Sequence, residues 1–192
     1  LHVTDWIPGQ MPDNPRLLVP DWTKYLPTSE TTLAEVFKAA GYTTATIGKW
    51  HLAKVTTNES YPDAHGFDLN IAGTDKPQPP TFIAPWKIPT LTEGKDGEHL
   101  TDRLAEEAER YLETVKDKPF FLYLPPFAVH TPIQGRPDLV EKYRKKIAAK
   151  GGADKLEHKN PGYAALTEGM DMAVGRVRKK IQDLGIADRT II

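Results

Sequence analysis

Gly41-Tyr42-Thr43-Thr44-Ala45-Thr46-Ile47-Gly48-Lys49-Trp50-His51-Leu52 is the stretch on which the fold turns. Just ahead of it, Thr32-Leu33-Ala34-Glu35 has the spacing of a capping box, in which a hydroxyl and a carboxylate satisfy the first free amides of a helix. Leu33, Val36, Phe37 and Ala40 follow at i, i+3, i+4 and i+7, one apolar stripe, and Gly41 supplies the stop. The β-branched run over 42–47 then predicts a buried strand, and Gly48 opens a turn that presents Lys49 and His51. In extended backbone, side chains two apart point the same way. An ammonium and an imidazole would therefore face one spot, while Trp50 turns away to pack. A fixed cation beside a titratable donor and acceptor suits an anionic ester under attack.

The same alternation continues outward. A second helix is expected over about 99–116, with Leu104, Ala108, Tyr111, Leu112 and Val115 on one face and charges opposite, ended by Lys118-Pro119. Phe120-Phe121-Leu122-Tyr123-Leu124 is a short continuous apolar run, as suits a strand of a parallel sheet covered on both sides. Residues 137–150 read as a basic helix ended by Gly151-Gly152. The longest periodic segment, about 161–184, puts Leu166, Met170, Ala173, Val174, Val177, Ile181 and Leu184 on one face, and Thr190-Ile191-Ile192 reads as the start of another strand. Helices alternating with short apolar strands predict an α/β fold, layered helix/sheet/helix, with no internal repeat and no clean domain boundary.

Composition narrows the function classes. Hydrophobic residues make up 39% and charged residues 27% of 192, so the chain can bury a core and is not disordered. Net charge is −1 and the most basic stretch is Lys142-Tyr143-Arg144-Lys145-Lys146, read as a solvated helix face, so neither nucleic acid nor a membrane surface is indicated as a partner. No apolar run approaches the roughly 18 residues of a membrane span. There is no cysteine, which excludes disulfides and thiolate metal sites. The 17 prolines concentrate over 8–27 and 77–89, read as long ordered loops.

A second constellation repeats the design of the first: the apolar run 120–124 leads into Pro125-Pro126-Phe127-Ala128-Val129-His130-Thr131-Pro132. In open α/β sheets, ligands sit beyond the carboxyl ends of the strands, so Lys49, His51 and His130 can share one site. Each has a plainer reading: a solvated lysine after a strand, a core histidine beside Trp50, a loop histidine between Val129 and Pro132. His65 reads as structural at a pocket rim, and His99 and His158 as surface residues. No histidine pair has zinc spacing, and Glu168 and Asp171 on the long helix read as pairing or solvated groups, so no metal ligand is assigned.

Gly-Tyr-x-Thr-x-x-Ile-Gly-Lys-Trp-His over 41–51 resembles the second signature of the sulfatases, and His130-Thr131-Pro132 resembles that family's His-x-Pro element after a hydrophobic strand. Thr4-Asp5-Trp6-Ile7-Pro8-Gly9 resembles the segment shortly after the family's nucleophile helix, and Tyr163 to Ile192 the run-in to its metal-binding Asp-Asn. The resemblance implies an alkaline-phosphatase-like fold with an incomplete central sheet, and residues 1–192 as a single partial domain from the middle of a catalytic domain. It implies hydrolysis of a sulfate ester on a sulfated small molecule or glycan, with Lys49 neutralising sulfate oxygens, His51 accepting a proton, and His130 binding sulfate and serving the leaving oxygen. It implies two cofactors for the parent protein, a divalent cation, in particular calcium, and a formylglycine made from a Cys or Ser in Cys/Ser-x-Pro-x-Arg. Both are expected to be absent from this chain, which has no such motif and no early Asp-Asp pair. A fragment without a nucleophile is expected to be inactive alone. The alternatives are a phosphodiesterase or phosphonate hydrolase of the same superfamily, or a non-catalytic module binding sulfate or sulfated glycan. Family members are often periplasmic or secreted; neither compartment nor oligomeric state is written in these residues.

Overall fold

The computed structural model describes residues 23, 25–53 and 60–192. The Thr4–Gly9 segment and most of the proline-rich run over 8–27 lie outside them. Helix α1 (Leu33–Ala39) starts on the expected capping box: Glu35 N–H donates to Thr32 Oγ1 at 3.2 Å and Thr32 N–H to Glu35 Oε2 at 2.7 Å. Strand β1 (Thr43–Ile47) follows, then β2 (Leu69–Ile71), helix α2 (Leu100–Val115), β3 (Phe120–Tyr123), α3 (Pro137–Ala149) and α4 (Pro161–Asp183).

The three strands form one parallel sheet in the order β2-β1-β3, with Ala45 opposite Leu69 on one side and Leu122 on the other. Strand alternation builds a core on each face. On one face Ala45 and Ile47, with Phe120 and Leu122 beside them, pack with Leu104, Ala108 and Leu112 of α2. On the other, Phe121 stacks on Phe37 of α1 at 4.7 Å between ring centroids and lies near Phe67. Thr44 and Thr46 also point to this second face and are fully buried; Thr44 donates from Oγ1 to Gly66 O at 2.6 Å. This is the helix/sheet/helix layering that the alternating sequence predicts. Helix α4 packs on α2 and α3, its Arg176 guanidinium gripping Glu109 of α2 with two hydrogen bonds of 2.7 and 3.0 Å.

Four expectations need correction. Leu33 and Val36, placed on the core stripe of α1, are 60% and 54% exposed, because α1 meets the sheet through Ala34 and Phe37. Val174 is likewise exposed, whereas Leu166, Ala173, Val177 and Ile181 are buried as the period predicts. Strand β3 is covered only in part: Phe120 and Leu122 pack on one face and Phe121 on the other, but the strand lies at the edge of the described sheet and Tyr123 is 44% exposed. Thr190-Ile191-Ile192 follows a short 3-10 turn at Ala187–Arg189 and forms no strand, with Ile191 and Ile192 exposed. Helix α3 behaves as a solvated basic face, with Leu139 its one fully buried side chain. Among the described residues no helix is long and apolar enough to cross a membrane.

Candidate functional site

The carboxyl ends of the three parallel strands are tied together by main chain. Gly48 N–H donates to Ile71 O at 2.8 Å, Lys49 N–H to Pro125 O at 2.8 Å, and His51 N–H to Thr74 O at 2.9 Å. Successive amides of one loop thus reach alternately to the β2 and β3 sides. Gly48 is required here: its φ is +132°, and a Cβ on it would stand 2.0 Å from Pro125 O.

His51 itself has φ +59°, so the segment turns left-handed and is not extended, as the side-chain alternation had assumed. The turn still gathers the three predicted residues: the His51 ring lies within electrostatic reach of both Lys49 and His130. Lys49, His51 and His130 are all partly exposed, neither core nor freely solvated. Burial first, then the Lys49 and His130 charges, push the His51 pKa below the usual histidine value, while Asp75 acts to raise it. Burial also lowers the Lys49 pKa. Trp50 turns inward as expected, 9% exposed, donating from Nε1 to Ser60 O at 2.7 Å and meeting Phe67 edge-on.

His130 stands on a loop with its own anchorage. His130 N–H donates to Phe127 O at 2.8 Å, and its Nδ1 lies 3.1 Å from Thr131 Oγ1. Four residues on, Gln134 Oε1 accepts from Phe82 N–H at 2.8 Å and from Thr81 Oγ1 at 2.9 Å. His99 completes this anchorage and is no surface residue: it is 5% exposed, its Nε2 lies 2.9 Å from Gln134 O, and its Nδ1 accepts from Thr101 N–H at 3.3 Å to cap α2. Those two bonds require a neutral ring with the proton on Nε2.

Burial lowers the His99 pKa from its ordinary 6.5, against the raising influence of the Gln134 hydrogen bond, Asp102 and Asp138; Arg136 adds to the lowering. The unfolded chain therefore takes up more protons than the folded one as pH falls through 6.5. The contribution of neutral His99 to stability is full above that value and declines below it. Melting temperature should fall between about pH 7 and pH 5, and His99→Asn should flatten that decline. Parallel profiles for the two proteins would refute it.

His65, read as structural, is fully buried behind Trp50 and not at a pocket rim, and neither ring nitrogen has a hydrogen-bond partner among the described residues. His158 is exposed, and Glu168 pairs with Lys142. Asp75, which acts on His51, and Tyr61 and Lys76, which touch Asp75, escaped the sequence reading. The Gly73-Thr74-Asp75 turn was a usable signal, but strand β2, three residues with an asparagine in the middle, did not announce itself. The chain brings no three His, Asp or Glu side chains into a metal-holding cluster among its described residues, and it contains no cysteine. Among the described residues this donor set does not fit a divalent cation, and the sequence has no Cys/Ser-x-Pro-x-Arg motif from which a formylglycine is made.

Comparisons with known proteins agree with this architecture. A sequence model of the sulfatase family matches residues 9–192. A sulfatase of Formosa agariphila is 30% identical over 88% of this chain and 38% of its own length. Arylsulfatase G of Rattus norvegicus is 27% identical over 81% of this chain and 33% of its length, and N-acetylgalactosamine-6-sulfatase of Mus musculus 28% identical over 87% and 32%. The chain thus spans about a third of the length of these relatives. Among solved structures, the sulfatase-like protein yidJ of Bacteroides fragilis superimposes with a TM-score of 0.66 at 22% identity, over 85% of this chain and 42% of that one, a likeness of fold. With its alkaline-phosphatase-like α/β layers and a family match that runs nearly from end to end, the chain belongs to the sulfatase family.

Proposed function

We propose that this chain supplies the sulfate-holding and proton-transferring wall of a sulfuric ester hydrolase, as a single partial domain from the middle of its catalytic domain. One observation carries the reading: Lys49, His51 and His130 follow the carboxyl ends of two adjacent parallel strands, with Lys49 and His130 both within electrostatic reach of His51. A sulfate monoester spreads one negative charge over three terminal oxygens, and cleavage moves charge onto the leaving oxygen. Lys49 is the fixed cation on the sulfate oxygens. His51, with its basicity lowered by burial first and then by its Lys49 and His130 neighbours, stays deprotonated at neutral pH and accepts a proton. His130, on the separately anchored loop, binds sulfate and donates toward the leaving oxygen. Positive groups fixed in place before reaction stabilise developing charge without reorganising.

The substrate class is a sulfated small molecule or glycan. The names of relatives support this, as does the likeness of fold to a structure solved with its substrate D-glucosamine-2-N,6-O-disulfate, at TM-score 0.54 and 17% identity. The divalent cation and formylglycine of the family belong, on this reading, to parts of the parent protein other than this chain.

The test is thermal protection by an aryl sulfate. Para-nitrophenyl sulfate should raise the melting temperature of the purified 192-residue chain, and His130→Ala should abolish most of the rise. No protection, or protection untouched by that substitution, overturns the site. The chain alone should release no nitrophenol, since its sequence carries no Cys/Ser-x-Pro-x-Arg motif. Steady turnover would show that the nucleophile lies within it.

A further inference from the structure

A carboxylate stands where an anion site has least use for one. Asp75 follows Thr74, whose carbonyl accepts the His51 amide at 2.9 Å, so Asp75 shares the edge on which Lys49, His51 and His130 meet. Its side chain is only 13% exposed. Oδ2 lies 2.9 Å from Lys76 Nζ and Oδ1 accepts from Tyr61 OH at 3.5 Å. Lys76 is 62% exposed, so that pairing is screened by water and leaves much of the Asp75 field acting inward. Among the described residues, Asp75 is the one carboxylate that acts on the His51 ring, and it works against Lys49 and His130.

We propose that Asp75 is a specificity-determining residue that sets the charge this site accepts, admitting the single charge of a sulfate monoester and disfavouring the double charge of a phosphate monoester. The proposal rests on the reading of Lys49, His51 and His130 as a sulfate-ester site. Doubling an anion's charge about doubles its attraction to Lys49 but raises the cost of stripping its water about fourfold, since that cost grows with the square of the charge. A nearby carboxylate weakens the attraction without easing the desolvation, so the dianion loses first. A merely structural role would be met by asparagine, which could accept from Tyr61 and leave the Thr74 turn in place.

Dissociation constants for para-nitrophenyl sulfate and para-nitrophenyl phosphate, measured by NMR titration of the 192-residue chain near neutral pH, test this. The parent chain should favour the sulfate ester. Asp75→Asn should move the ratio toward the phosphate ester by about tenfold, while Tyr61→Phe, which keeps the carboxylate, should leave it within about twofold. An unchanged ratio in folded Asp75→Asn overturns the proposal and leaves the sulfate site standing. If Asp75→Asn fails to fold, the parent chain alone decides. Its relative affinity for the phosphate ester should climb as pH falls through that ester's second ionisation, and a flat ratio overturns the proposal. Binding of neither ester removes the sulfate site and the proposal with it.

Discussion

Gly48→Ala should destabilise the chain by about 4 kcal/mol and lower its melting temperature by roughly 10 °C. Two effects combine. At φ +132° an L-residue is strained whatever the surrounding space, and the added methyl would stand 2.0 Å from Pro125 O and 2.9 Å from Pro125 C. Relief would require the β1 and β3 loops to part, which breaks the Lys49 N–H bond to the same Pro125 carbonyl. Gly41→Ala is the control. Gly41 also has positive φ, +84°, but nothing lies within 4 Å of the place its methyl would take, so its cost is that of backbone conformation alone, about 1 kcal/mol. Thermal melts of the two variants within about 2 °C of each other would show that the approach to Pro125 does not constrain the turn.

Lys49→Ala should have the reverse profile, leaving the melting temperature nearly unchanged and weakening para-nitrophenyl sulfate binding about 100-fold. That loss corresponds to about 3 kcal/mol, as expected when one partner of a partly desolvated charge pair is removed. The lysine is held by its backbone amide, which alanine keeps. Lys49→Arg should recover only part of the loss, because a planar fork does not occupy the place of a compact ammonium. Titration of the folded variants reads this directly, and a change of less than about threefold in Lys49→Ala would remove Lys49 from the binding site.

The elements legible in the sequence are those whose signals are local. The Thr32–Glu35 spacing fixes the start of α1, and the heptad-like spacing of Leu166, Ala173 and Val177 fixes the buried face of α4. The parallel pairing of β1 and β3 follows from two apolar runs joined by a helix. What failed depends on distant partners. His99 sits among polar neighbours in sequence, yet its burial is decided by Gln134, 35 residues away. Leu33 and Val36 share a stripe, but a period says which residues lie together and not what faces them. The handedness of His51 comes from its amide reaching Thr74, a tie invisible until β2 is known. The meeting of Lys49, His51 and His130 was legible for another reason: strands in such sheets end on one side, so residues just past them become neighbours.

The alternating amide ties at Gly48, Lys49 and His51 divide labour between two kinds of atom. The bonds that Gly48, Lys49 and His51 send across the junction of the three strand ends are main-chain bonds, and the main chain is the same for any non-proline residue that can adopt the turn. Among the described residues, the side chains at 49 and 51 make no hydrogen bond that closes the junction. A junction built this way works like a socket: the groups it displays can be exchanged by mutation while the seat that holds them stays folded. New chemistry at this edge is therefore open to single substitutions, provided position 48 keeps its glycine.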